Sequence, residues 1–123
     1  MNDDVVIDLS IIEELRECGD DDGTSIVCEA LSLYLEDSPI QVTGLIEGLK
    51  KNDLEQVERN AHSLRGSSAT LGGVRLAKLC QHLEQMSRQQ ALVEADNFAA
   101  RVAEEATCLQ NALKAELNRL SAN

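Results

Sequence analysis

The sequence predicts an all-α fold, an antiparallel four-helix bundle with a short N-terminal lid helix. Three observations carry that expectation. Apolar residues recur at spacings of three and four along most of the chain, the period of an amphipathic helix. Aromatic residues are limited to Tyr34 and Phe98 and the single proline is Pro39, so the core must come from Leu, Ile, Val and Ala, which favours helices over a sheet. The 123 residues suffice for one real core and not for two, so residues 1–123 are read as one helical unit. No repeat, low-complexity tract or strand pattern appears.

Each helix has its own signature. Residues 8–18, "DLSIIEELREC", place Leu9, Ile12 and Leu15 at helical spacing, and "GDDDGT" then breaks the pattern with glycines and an acidic run. Thr24 is the expected cap of a second helix over 24–50, whose stripe of Ile26, Val27, Ala30, Leu31, Tyr34 and Leu35 resumes at Val42, Leu45, Ile46 and Leu49. Pro39 is expected to kink or interrupt it. Asn52 or Asp53, with Glu55 or Gln56 three residues on, marks the start of a third helix over 53–71. Its stripe is Leu54, Val57, Ala61, Leu64, Ser68 and Leu71, and Gly72 and Gly73 end it. Leu76, Leu79, Cys80, Leu83 and Met86 define a fourth helix over 74–89, and Phe98, Val102, Ala106, Leu109, Leu113, Leu117 and Leu120 a fifth over 91–120. Short connectors between them imply antiparallel packing.

The four cysteines, Cys18, Cys28, Cys80 and Cys108, form no C-x-x-C pair and no leader-like segment precedes the first helix, which suits reduced cysteines in a cytoplasmic protein. No run approaches the ~18 apolar residues of a membrane span. Met1 and polar ends suit a small independent protein. The net charge of −11 argues against nucleic acid or an anionic membrane as partner, since both are polyanions. The distribution is more telling than the total. Residues 1–58 hold 16 acids and 3 bases, residues 59–88 hold 1 acid and 5 bases, and residues 89–123 hold 5 acids and 3 bases. One basic island lies in an acidic chain.

That island contains "NAHSLRGSSATLGG", residues 60–73. At about 100° per residue, Val57 and Leu64 share a side of their helix and His62 lies about 140–160° away from it, so His62 faces solvent. Arg65 and Gly66, at i+3 and i+4, share its face, and Glu58 sits one turn before it. A helical glycine costs about 1 kcal/mol against alanine. Its missing side chain therefore serves either the close approach of another macromolecule to the imidazole or the tight packing of a neighbouring helix.

The stretch "AHSLRGSSATLGGVRLAKLCQHLE" resembles the histidine-containing phosphotransfer (HPt) domains of multistep two-component signalling: a His, a basic residue three on, Gly four on, small residues, a Gly-ended helix and a further amphipathic helix. "IDLSIIEELRECGDDDGTSIVCEALSLYLEDSP" resembles the family's lid helix and long second helix, so the likeness covers roughly residues 7–90 in detail. The resemblance implies that His62 accepts a phosphoryl group from the aspartyl phosphate of one receiver domain and passes it to another. The chain would then be a phosphohistidine carrier and not an ATP-dependent kinase, consistent with the lack of a nucleotide-binding motif. It further implies that Arg65, in place of the family's more usual Lys, supplies positive charge for the phosphoryl oxygens. Gly66 would leave room for the docking partner, and Glu84, on the following helix, would hold the second ring nitrogen of His62. An ordinary ion pair between Glu84 and Arg88 is the plainer role for that carboxylate, and both can hold together. Arg88 matches a basic position seen in some members.

The expected partners are receiver domains of response regulators or hybrid sensor kinases, met by a monomer, with Mg²⁺ brought by the receiver and no cofactor on this chain. Arg59, Arg65, Arg75, Lys78 and Arg88 would complement the receiver's acidic pocket, and Ile11, Ile12 and Leu35 are candidates for an apolar patch beside His62. Ser67 and Ser68 have no base at i+3 or i+4 and are read as packing residues. Two alternatives stand beside this reading. One is a metal-binding bundle using Glu58, His62, His82 and Glu84, weakened because His82 and Glu84 lie about 200° apart around their helix and no Glu-x-x-His pair occurs. The other is an interaction bundle without chemistry.

Overall fold

The computed structural model describes residues 6–17 and 23–122, so Cys18 and the acidic run after it lie outside the described residues. The described residues form five helices: α1 (Leu9–Glu17), α2 (Thr24–Lys51), α3 (Leu54–Thr70), α4 (Val74–Arg88) and α5 (Ala95–Ser121). No strand occurs among the described residues. The protein is the all-α bundle that its periodicity implies.

Four long helices pack in the order α5, α2, α3, α4 around the core, with α4 and α5 closing the ring by a lighter contact. Every adjacent pair runs antiparallel. Tyr34 of α2 hydrogen-bonds Ser68 of α3, while further on α2 Gly48 meets Val57 nearer the start of α3. Glu58 and His62 of α3 pair with Arg88 and Glu84 of α4, Arg75 of α4 pairs with Glu105 of α5, and Ser38 of α2 meets Gln110 of α5. The inward stripes are aliphatic, including Val27, Leu31, Leu45 and Leu49 of α2, Val57, Ala61 and Leu64 of α3, Leu76 and Leu83 of α4, and Leu109 and Leu113 of α5. Each such Val or Leu withdrawn from water contributes about 1.5–3 kcal/mol.

Local chemistry sets the boundaries. Asp53 caps α3, accepting from the Gln56 backbone N–H at 3.1 Å. The α3–α4 turn depends on Gly72, whose φ of +82° is left-handed and whose missing Cβ leaves room for the Asp8 carbonyl; the Asp8 N–H donates to the Gly72 carbonyl at 2.7 Å. This strap ties the segment before α1 to the turn, and α1 packs on α2 at that end of the bundle.

Four sequence expectations are corrected. Thr24 does not cap α2: Gly23, at φ 71°, holds the cap position and Thr24 is the first helical residue. Of the two effects expected of Pro39, a kink or an interruption, the interruption does not occur, because the stripes on both sides of it, Val27–Leu31–Tyr34 and Leu45–Leu49, bury against one core and outweigh the single lost backbone bond. The last helix begins at Ala95 and not at 91, since Gln90 and Glu94 adopt left-handed backbone angles of φ 57° and 52°. Ile12 of the lid is only 1% exposed: it is a core residue, and cannot form part of an open apolar patch.

Candidate functional site

His62 lies near the middle of α3. Because Val57, Ala61, Leu64 and Ser68 turn inward, the helical period turns His62 out, and 64% of its side chain is exposed. Glu84 lies across the α3–α4 interface among Cys80, Leu83 and Ser87, and its side chain is 3% exposed. Such a carboxylate must be paired, and it has three donors. His62 Nδ1 lies 3.1 Å from Glu84 Oε2, Arg88 Nη2 donates to the same oxygen at 2.9 Å, and Arg65 Nε donates to Oε1. Burial alone pushes the Glu84 carboxyl up, but the hydrogen bonds from Arg65 and His62 and their charges outweigh it and hold the group below its ordinary value. Burial, and then the negative charge of Glu84, pushes the neighbouring Cys80 thiol up to about 12, so it stays protonated and inert.

The carboxylate fixes the imidazole tautomer. Glu84 Oε2 can only accept, so Nδ1 carries the proton and donates it, leaving the Nε2 lone pair on the exposed edge of the ring. Arg65 Nη2 also stands 3.4 Å from Nδ1; with both groups carrying protons this is proximity and not a hydrogen bond. Arg88 reaches back to α3, its Nε donating to Glu58 Oε1 at 3.3 Å. Glu58, Arg88, Glu84 and His62 therefore form one chain of contacts between the two helices. A groove of about 450 Å³ opens beside three of them, lined by Glu55, Glu58, Arg59, His62, Ser63 and Arg88.

Around the α3 axis, Glu58 and Arg65 lie about 40–60° from His62 on the α4 side, while Gly66, Arg59 and Thr70 lie about 40–80° away on the α2 side. A Cβ built on Gly66 meets no atom within 4 Å, so no neighbouring helix requires a glycine there. Beyond Gly66 the α2 surface carries Leu33 and Ile40, 52% and 75% exposed, and a groove of about 280 Å³ between α2 and α3 is lined by Leu33, Tyr34, Ser67, Thr70 and Leu71 among others. Sequence reasoning missed both residues. Their signal was there: Ile26, Leu33 and Ile40 repeat at seven residues, a second apolar line beside the buried stripe, and Ile26, assigned to the core, is 42% exposed.

Other residues fall elsewhere. Leu35 is half-buried against the core and Ile11 is partly exposed on the lid. Ser68 is fully buried, its Oγ 2.8 Å from the Tyr34 hydroxyl, and Ser67 donates to the Ser63 carbonyl at 3.2 Å. Arg59, Arg65 and Arg88 gather around His62, but Arg75 and Lys78 do not: they line a separate groove with Leu79, His82, Arg101 and Glu105. The proposed metal set does not assemble either. His82 packs on Phe98, far around α4 from Glu84, and among the described residues no three His, Cys, Asp or Glu side chains form a ligand group.

Comparison with known proteins gives this geometry a family. A family model described as "Hpt domain" matches residues 29–123. Over 84 residues the chain is 30% identical to multistep phosphorelay regulator 1 of Schizosaccharomyces pombe, covering 68% of this chain and 28% of that protein. Over 70 residues it is 34% identical to histidine-containing phosphotransfer protein 2 of Arabidopsis thaliana, covering 54% of this chain and 45% of that one. The matches thus span less than half the length of either relative. Among solved structures, histidine-containing phosphotransfer protein B from Pseudomonas aeruginosa superimposes with a TM-score of 0.83 at 24% identity, over 94% of this chain and 97% of that one. The HPT domain of a sensor hybrid histidine kinase from Shewanella gives 0.80 at 23%, with the same coverage. At such identities the structures speak for the fold. The family model spans most of the chain, and by that match the chain belongs to the Hpt domain family.

Proposed function

We propose that the chain is a phosphorelay carrier in which His62 accepts a phosphoryl group from the aspartyl phosphate of one receiver domain and passes it to another. The observation that carries this reading is the hydrogen bond from His62 Nδ1 to the buried Glu84 carboxylate, which leaves Nε2 as an exposed, oriented lone pair. Nε2 attacks phosphorus in line: the N–P bond forms as the bond from phosphorus to the aspartyl oxygen breaks, and the leaving carboxylate keeps the electron pair. The ring becomes a phosphorylated imidazolium that retains its Nδ1 proton, and Glu84 offsets the positive charge. Arg65 and Arg88, already beside the imidazole, offer guanidinium groups to the phosphoryl oxygens. Transfer onward reverses the same steps.

Docking uses the α2 side. The bare Gly66 backbone lets the receiver approach Nε2, Leu33 and Ile40 supply the apolar contact, and Arg59 faces the acidic rim of the receiver's phosphorylation pocket. The receiver brings Mg²⁺, so this chain needs no cofactor of its own. The chain acts as a monomer in the cytoplasm. The described cysteines are free, and no described helix is long and apolar enough to cross a membrane, both compatible with that setting.

The test is transfer of radiolabelled phosphate from a panel of phosphorylated receiver domains. Label is expected on the wild-type chain and none on His62→Gln. Failure of every receiver to label the wild type contradicts the reading and leaves an interaction module.

A further inference from the structure

Glu58 is the acidic residue nearest His62 in sequence, and its carboxylate stands one turn before the imidazole in the groove that both line. A carboxylate is an odd neighbour for a phosphoacceptor, because it repels the phosphoryl dianion that the ring would carry. What it touches is Arg88. Arg88 Nε donates to Glu58 Oε1 at 3.3 Å, and Arg88 Nη2 donates to Glu84 Oε2 at 2.9 Å. That same oxygen is the one His62 Nδ1 meets at 3.1 Å. One guanidinium is thus shared by two carboxylates, and it converges with the imidazole on a single oxygen.

The two holds on Arg88 are unequal. The Glu84 side chain is 3% exposed, and a buried carboxylate is costly to leave short of a partner, so Arg88 Nη2 stays with it. The contact with Glu58 is longer, and its side chains are 56% and 42% exposed, so it is weak and readily exchanged. A phosphoryl group on Nε2 brings three strong acceptor oxygens beside this guanidinium. The Nε edge of Arg88 is therefore the one free to change partner, and Glu58 competes for it. Glu55, one turn earlier on α3, lines the same groove, and among the described residues it makes no ion pair with Arg88. It carries the same charge as Glu58 without the contact.

We propose that Glu58 is a positioning residue that holds Arg88 in the unphosphorylated chain and then competes with the phosphoryl group for it, shortening the life of the phosphohistidine. The proposal rests on His62 being the phosphoacceptor. In hydrolysis water adds to phosphorus as the N–P bond breaks; its protons leave with inorganic phosphate, and the electron pair returns to Nε2. In a loose, metaphosphate-like transition state the phosphoryl oxygens carry less charge than in the dianion. A cation held on them steadies the ground state more, and so slows the loss. Arg88 held by Glu58 is withdrawn from that role.

The test phosphorylates the whole chain with phosphoramidate, which gives its phosphoryl group to an imidazole with loss of ammonia and needs no receiver. The decay of phosphate on His62 is then followed by NMR at neutral pH. Glu58→Gln should lengthen the lifetime about threefold, the scale of one exposed ion pair. Glu55→Gln should leave it unchanged. Arg88→Gln should shorten it, and adding Glu58→Gln to Arg88→Gln should restore nothing. An unchanged lifetime in Glu58→Gln, an equal lengthening in Glu55→Gln, or a full lengthening that persists without Arg88 each overturn the proposal. Failure of every receiver to label the chain contradicts the relay and not this result, because the donor here is a small molecule.

Discussion

His62 and His82 both stand on the surface of this bundle with arginines nearby, and what touches each ring differs in kind. The Nδ1 of His62 meets a nearly buried carboxylate, so its proton is fixed and its other nitrogen is presented to solvent. His82 rests edge-on against Phe98, and among the described residues no carboxylate is hydrogen-bonded to it. A carboxylate partner orients an imidazole and can offset a positive charge formed on it; an aromatic edge orients the ring without doing the second. The comparison sets the histidine proposed here as the nucleophile against one that the structure holds by ring contact. It also explains why nearby cations do not identify a reactive histidine.

Substitutions on the His62 side should enlarge or erase this contrast. Gly66→Gln has the largest expected effect among these substitutions: the new side chain enters open space, so helicity stays intact, while the receiver is held off Nε2 and transfer falls about 100-fold. Transfer at the wild-type rate in a stopped-flow assay would remove Gly66 from the docking surface. Glu84→Ala should make His62 more like His82, lowering the transfer rate or the phosphohistidine lifetime by roughly 10-fold or more. Unchanged kinetics in a folded variant would exclude the carboxylate from the site.

The smallest effect is on stability. The Glu84 carboxyl is held below its unfolded value, so the unfolded chain binds this proton more readily than the folded one. Its contribution is therefore fully present above its unfolded pKa of about 4.3 and is lost as pH falls through the lower, folded value. Urea unfolding of wild type and Glu84→Gln should differ by about 1 kcal/mol at neutral pH, with the gap closing in strong acid. An equal gap at both would mean that the carboxylate is not charged in the folded protein.

Legibility in the sequence follows the reach of each interaction. The helices and most of the core could be read because the 3.6-residue period is local: Val57, Ala61 and Leu64 announce which way α3 faces, and hence that His62 points out. The pairing of His62 with Glu84 crosses two helices, and periodicity alone gives no distance for it; family resemblance pointed to Glu84 where spacing could not. The burial of Ile12 is not legible in the sequence, because an apolar residue on a short lid serves equally to plug the core or to meet a partner, and only packing decides. Arg75 and Lys78 lie near Arg65 in sequence, yet they sit on α4, which turns them away from Glu84 and His62. The exposed line of Leu33 and Ile40 is masked in the sequence by the buried stripe of α2, which by itself accounts for that helix.

The most direct measurement of the central claim is the position of the phosphoryl group after the chain is incubated with a phosphorylated receiver, read by heteronuclear NMR of the two imidazoles. The account predicts phosphate on Nε2 of His62, with the Nδ1 proton retained toward Glu84 and the His82 ring unmodified. Phosphate on His82, or on Nδ1 of His62, would contradict it.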